Sequence, residues 1–245
     1  MGALKALTEL GASFADADVR VLCYHSVRTR DRFAAQMAGL AERGYAVLSM
    51  QHFTAWLQGR APLLRPPAAL LTFDGGYPDQ LDNAVPVLEA LKFPATFFPV
   101  SCDLHAEGAM TRRDLVALAA AGHAIGCHSH THPDLTTLSP GELEEEVVGS
   151  KRRLEEALGQ PVSAFCYPDG ARDSRVASVV RRAGFDVAFT VDLGGVDRGD
   201  DPYHLKRVPV LGEPHPGAFF AYLSGTPILS GALLLGFKVR ERFLR

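Results

Sequence analysis

Three of the nine histidines fall within five residues, in the run Cys127-His128-Ser129-His130-Thr131-His132-Pro133. A neutral imidazole offers a ring nitrogen to a divalent ion, and two imidazoles four positions apart share a face when the chain turns helically between them. On that spacing His128 and His132 form a candidate metal pair, and His130 points elsewhere. Two histidines do not complete a site, so a carboxylate or another ligand has to arrive from a distant part of the chain. The competing reading is a polar loop with surface histidines.

Two other polar residues sit just past apolar runs. Asp74 ends the run Ala68 to Phe73 and precedes Gly75-Gly76, a place where backbone or a ligand comes close. Asp-Gly-Gly is equally ordinary turn chemistry. His25 follows the run Val19 to Tyr24. A lone histidine there is more often structural, but at a mouth shared with Asp74 and His128 it becomes a candidate proton donor, because its pKa lies near working pH.

These residues need a scaffold that gathers strand ends. Short apolar runs alternate with helical stretches, the pattern of a mostly parallel sheet with helices outside. Strands are expected at 19–24, 46–48, 68–73, 95–100, 124–127, 162–167, 187–190 and 208–210. Helices are expected at 32–43, 51–58, 83–91, 111–121, 139–158 and 175–183, with Asp114 placed for a capping box and Ser139-Pro140 opening the long helix. The polar candidates then all fall at C-terminal ends of strands, where parallel α/β barrels build their sites.

Composition limits the classes. The chain has 245 residues, 47% hydrophobic and 22% charged, a globular balance with enough length for a barrel-sized core. A net charge of -3 without a long basic run gives no electrostatic case for nucleic acid. Cys23, Cys102, Cys127 and Cys166 form no CxxC pair and each lies beside apolar residues, so buried free thiols are expected. No linker divides the chain, so one domain is expected over 1–245. Asp16, Asp18 and Arg20 interrupt the N-terminal run, so no signal peptide is read and a cytoplasmic location is expected. From about residue 226 an apolar stretch, Pro227 to Phe237, runs into Lys238, Arg240, Arg242 and Arg245. A packed terminal helix is the plain reading, and peripheral contact with an anionic membrane the sharper one.

With these motifs in order, the sequence resembles the polysaccharide deacetylase (NodB-homology) family. The likeness covers roughly Val21 to Val210: YHSV, LTFDGGY, the PATFF strand, IGCHSHTHPDL, the helix with Ser150-Lys151, FCYPDG, and Lys206-Arg207-Val208-Pro209-Val210. The leading YHSV is similar to the branch that includes poly-N-acetylglucosamine deacetylases. The resemblance implies an α/β fold, a distorted (β/α) barrel of about seven parallel strands. It also implies a divalent ion, often zinc, held by Asp-His-His, and N-deacetylation of an N-acetylated sugar or glycan. By position it makes His128 and His132 ligands, Asp74 the general base and His25 the proton donor. Arg207 would orient Asp74, and Tyr167, Pro168, Asp169 and Gly170 would line the substrate groove.

One position departs. The family motif reads TFDDG, and its metal-binding second Asp corresponds here to Gly75. Three readings stay open: another acid such as Asp79 or Asp169, or water, fills the place; Asp74 itself binds the ion; or the chain is a weak or inactive relative that binds saccharide. A deacylase or deformylase of a small amide is the alternative enzyme.

Overall fold

The computed structural model describes residues 17–105 and 108–224, so the N-terminal run and the apolar-basic tail from 226 lie outside the described residues. The strands are β1 (Val19–Tyr24), β2 (Ala46–Leu48), β3 (Ala68–Gly75), β4 (Thr96–Pro99), β5 (Ala124–Ile125), β6 (Ala164–Cys166), β7 (Val187–Leu193) and β8 (Leu205–Pro209). Seven of them pair in the order β5-β4-β3-β1-β8-β7-β6, with β2 paired to β3 off that path. Every strand pairing is parallel. A lone parallel bridge between Cys127 and Phe165 brings the two ends of the path together. The architecture is a nearly closed (β/α) barrel of seven parallel strands.

Strand limits follow backbone pairing more than apolar composition. β3 runs two residues past Phe73 because Asp74 and Gly75 pair with Phe98 and Pro99 of β4. β5 stops at Ile125, and Cys127 contributes only the closing bridge. β8 starts at Leu205, three residues before the expected Val208, so Arg207 lies within it.

The helices are α1 (Arg30–Glu42), α2 (Met50–Leu57), α3 (Val85–Leu91), α4 (Arg112–Ala120), α5 (Pro140–Glu144), α6 (Ser150–Leu158), α7 (Ser174–Arg182) and α8 (Pro216–Leu223). Thr111 and Asp114 make the expected capping box on α4, and Ser139 and Glu142 make another on α5. Two helical stretches contain π turns, Gln80–Ala84 before α3 and Glu145–Gly149 between α5 and α6. Those wider turns break the 3.6-residue period from which a plain helix was expected. The sequence pattern also missed α8, which is apolar nearly all round and buries Phe219, Tyr222 and Leu223.

The alternation of side chains along the strands places the site. Val19, Val21, Ala68, Leu70, Phe98, Ala164, Val187, Phe189 and Leu205 share one apolar cluster with Phe53 and Trp56 of α2. Leu22, Leu71, Phe73, Phe97, Phe165 and Val208 belong to a second cluster with the outer helices. With a period of two, Cys23, Asp74, Cys166 and Arg207 fall on the same face as the first cluster, one step toward the strand C-termini. The barrel interior thus turns from apolar to polar at its mouth.

All four cysteines are free, and Cys23, Cys127 and Cys166 are buried as expected. Cys102 is exposed, a correction to that expectation: the chain leaves β4 in a 3-10 turn at Ser101–His105 that turns its side chain outward. Among the described residues no helix is long and apolar enough to cross a membrane.

Closure leaves little room at Gly126, where an added Cβ would meet the Phe98 ring at 2.2 Å and the Ala164 carbonyl at 3.1 Å. Gly126→Ala is expected to cost about 1–3 kcal/mol of unfolding free energy through overpacking, measured by urea titration. Wild-type stability would contradict this account of closure.

Candidate active site

Asp74 and Arg207 meet inside the barrel mouth, 2% and 1% exposed. The Arg207 guanidinium grips the carboxylate with two hydrogen bonds, Nη1 to Oδ1 at 2.9 Å and Nη2 to Oδ2 at 2.7 Å. Its Nε donates to the Thr190 carbonyl at 2.8 Å, which fixes the plane of the fork. The thiols of Cys23 and Cys166 donate to Asp74 Oδ2 at 3.5 and 3.4 Å. Burial raises both thiol pKa values, so they stay protonated donors. Burial alone would raise the Asp74 pKa as well. The charges of Arg207 and His128 and the Arg207 hydrogen bonds outweigh it and hold the carboxyl well below its ordinary range.

The histidine run is not helical, which corrects the expected geometry of the pair. Ser129 and His132 take left-handed backbone angles, φ 64° and 59°, and the chain doubles back between them. The Ser129 hydroxyl accepts the His132 N–H at 3.0 Å and pins the turn. The result still brings the two imidazoles together, with ring centroids 4.6 Å apart at an interplanar angle of 78°. His128 is buried and His132 exposed. His128 Nδ1 lies 2.9 Å from the Cys166 carbonyl, so the ring donates there and leaves Nε2 with a free lone pair. Burial, with help from His132 and Arg207 and opposed by Asp74, pulls the His128 pKa down to about 4. His130 turns away to pair with the Ser101 hydroxyl at 2.8 Å.

His25 stands exposed at the end of β1, and its donor atom lies within 4.8 Å of those of Asp74 and Cys23. Its pKa is lowered chiefly by desolvation among its neighbours, with Asp74 opposing and Arg207 and His132 adding to the shift. Sequence reasoning missed Gln80, a fully buried residue of the first π turn. Its amide donates to the backbone carbonyls of Asp74 at 2.8 Å and His25 at 2.7 Å, tying the two strand ends together. No local pattern marks such a residue, because its partners are carbonyls 6 and 55 residues away.

The expected groove residues divide. Asp169 is exposed and Gly170 partly so, in a turn where both have positive φ, 50° and 70°. Tyr167 and Pro168 are buried, and the Tyr167 hydroxyl donates to the Tyr203 carbonyl at 3.1 Å.

Position 75, where the resemblance would place an Asp, is constrained by its own backbone. Gly75 has φ +89°, a conformation that disfavours any side chain. A Cβ built there would lie 2.5 Å from the exposed Tyr77 ring, which would have to shift to admit a side chain. Two groups of three donors lie mutually within 4.8 Å among the described residues, Cys23-His25-Asp74 and Asp74-His128-Cys166. Neither contains Asp79, Asp169 or His132. Asp79 instead accepts from the Ser26 hydroxyl.

A parallel barrel with a buried carboxylate, an imidazole pair and a further histidine at the C-terminal mouth is the frame of an amide hydrolase. The polysaccharide deacetylase sequence pattern matches residues 63–188, just over half of the chain. The Bacillus subtilis protein YxkH is 27% identical over 215 residues, covering 84% of this chain and 76% of that protein. A chitooligosaccharide deacetylase of a Bradyrhizobium strain is 36% identical over 169 residues, 64% of this chain and 70% of that enzyme. The structure of IcaB from Ammonifex degensii superposes with a TM-score of 0.75 at 27% identity, covering 85% of this chain and 97% of that one. The chain belongs to the polysaccharide deacetylase family and is an amide hydrolase of that type.

Two outcomes follow from this geometry. Arg207→Met leaves Asp74 buried without its cation, which is expected to cost about 3–5 kcal/mol at neutral pH. In the wild type the low Asp74 pKa adds stability above the ordinary carboxylate range and loses it in acid. In the variant the lone buried carboxyl takes up a proton before the unfolded chain does, so the gap narrows as pH falls. Denaturant titrations across pH test both signs. For position 75, Gly75→Asp alone is expected to leave zinc affinity unimproved, whereas Gly75→Asp with Tyr77→Ala raises it. Calorimetric titration decides, and a full gain from the single change would show that the Tyr77 ring is no obstacle.

Proposed function

We propose that this chain removes the acetyl group from an N-acetylated sugar or short glycan, using a divalent cation, zinc, held by His128 and His132. The observation that carries this reading is the convergence at one mouth of a locked carboxylate, two neighbouring imidazoles and a separate histidine. The chitooligosaccharide deacetylase among the relatives supports an N-acetylglucosamine unit as the substrate class.

The donor set fits a cation through two protein ligands. His128 offers Nε2 because its Nδ1 is committed to the Cys166 carbonyl, and its low pKa keeps it neutral well into acid. The His132 ring lies beside it. Arg207 occupies one lone pair on each Asp74 oxygen, and we assign the remaining ones to proton transfer rather than to the ion. Solvent or substrate oxygen is left to complete the sphere, so affinity falls below that of a three-ligand site. When bound, the cation withdraws electrons from the amide carbonyl and acidifies water beside it.

The chain's own residues do the rest. Asp74 is ionised at every working pH and accepts a proton from the attacking water; Arg207 keeps its oxygens from turning away. The low pKa makes it a weak base, so it acts only on water that is already acidified. His25, within reach of Asp74, delivers a proton to the departing amine nitrogen. Asp169 and Gly170 present the polar edge along which the sugar lies.

The test is acetate release from N-acetylglucosamine oligomers with added zinc. Turnover that a chelator stops and zinc restores is expected, and Asp74→Asn and His25→Ala should each lower kcat by about 10²–10⁴-fold. No acetate from any oligomer at saturating zinc would overturn the reading, and cleavage of small formyl or acyl amides instead would move the substrate class.

A further inference from the structure

The turn that carries His132 is held from behind by a residue the reaction does not use. Glu146 lies in the π turn between α5 and α6, at the end of the run Glu144-Glu145-Glu146. The first two of these are exposed, whereas Glu146 is 8% exposed. Its Oε2 accepts the backbone N–H groups of His130 at 2.8 Å and Thr131 at 2.9 Å. Its Oε1 accepts the Thr131 hydroxyl at 2.6 Å. One carboxylate thus satisfies three consecutive donors in the segment between the two imidazoles.

Two features make this more than a loop contact. The segment starts at Ser129 and ends at His132, both non-glycine residues with positive φ, and such backbone persists only where its surroundings over-determine it. The helix also abandons its regular hydrogen bonding around Glu146, and π turns of this kind are frequent at functional sites. Removing a carboxylate from water is costly without full hydrogen bonding. A packed apolar residue would fill the space but leave the two amides without an acceptor.

We propose that Glu146 is a positioning residue: it sets the turn that holds the His132 imidazole at the distance from His128 needed to share one cation. The proposal rests on the reading that this pair binds the cation. Glu146 itself touches neither imidazole; it acts through the His130 and Thr131 amides.

The experiment compares wild type, Glu146→Leu and Thr131→Val, each stripped with chelator and then titrated with zinc against a chromophoric competitor. Leucine is of similar size and leaves both amides without an acceptor, whereas glutamine would keep its carbonyl oxygen on the amides and donate its NH₂ to the Thr131 hydroxyl. Zinc affinity is expected to fall by about 10–100-fold in Glu146→Leu, the scale seen when a group that orients a ligand is lost, and less in Thr131→Val. The visible spectrum of the cobalt(II)-loaded protein should change in Glu146→Leu, while the melting temperature of the metal-free protein stays within a few degrees. Amide exchange at His130 and Thr131 in metal-free protein should speed up.

Wild-type affinity and cobalt spectrum in Glu146→Leu would overturn the positioning role while leaving the cation reading intact. A wild-type chain that takes up neither zinc nor cobalt would overturn the cation reading and this proposal with it. If Glu146→Leu does not fold, Thr131→Val decides: weaker zinc binding with faster amide exchange supports the proposal, and no change in either refutes it.

Discussion

The buried pair of Asp74 and Arg207 is the constraint around which the mouth is organised. Neither charge can face water, so each must be met by the other and by groups from neighbouring strands. Arg207 arises on β8 and Asp74 on β3; the thiols come from β1 and the end of β6, and the Thr190 carbonyl from β7. Five strand ends therefore have to reach one depth and one register. A barrel that slipped by one residue would turn the carboxylate to the outer face and strand the guanidinium inside.

That constraint also separates the tasks of neighbouring residues. The carboxylate is so well stabilised that it is fixed in place and charge but is a feeble base. The two imidazoles have different supports: His128 is held by the strand-end carbonyls of Cys166 and Pro99, and His132 by a turn fastened through Ser129 and Glu146. His25 follows directly on β1, and its backbone is tied to that of Asp74 through Gln80. The anchors overlap at Cys166, which meets Asp74 with its thiol and His128 with its carbonyl, and at Gln80, which joins Asp74 to His25.

Much of the scaffold was legible because its strands are buried on both faces and read as apolar runs, and because Asp74, His25 and His128 stand where those runs end. The capping boxes at Thr111 and Ser139 were readable for the same local reason. The role of Arg207 came only from resemblance, since its partner lies 133 residues away. The four-residue spacing of the histidines correctly paired them, yet it implied a helix where the chain makes a turn with two left-handed residues. Gln80 and Glu146 were invisible for a different reason. Each works on backbone groups that no sequence pattern displays, and Glu146 lies in an acidic run that reads as a solvated helix face. The π turns that carry both residues have no signature in a 3.6-residue period.

Gly75 and the Tyr77 ring above it carry a consequence for redesign. The backbone at 75 takes a form that glycine tolerates easily and other residues do not, and a Cβ there would meet the ring two residues on. The two positions are therefore coupled: any side chain at 75 asks both for a new backbone angle and for a shift of the exposed Tyr77 ring. Varying either position alone samples the strained combinations first, whereas varying both together reaches the relaxed ones.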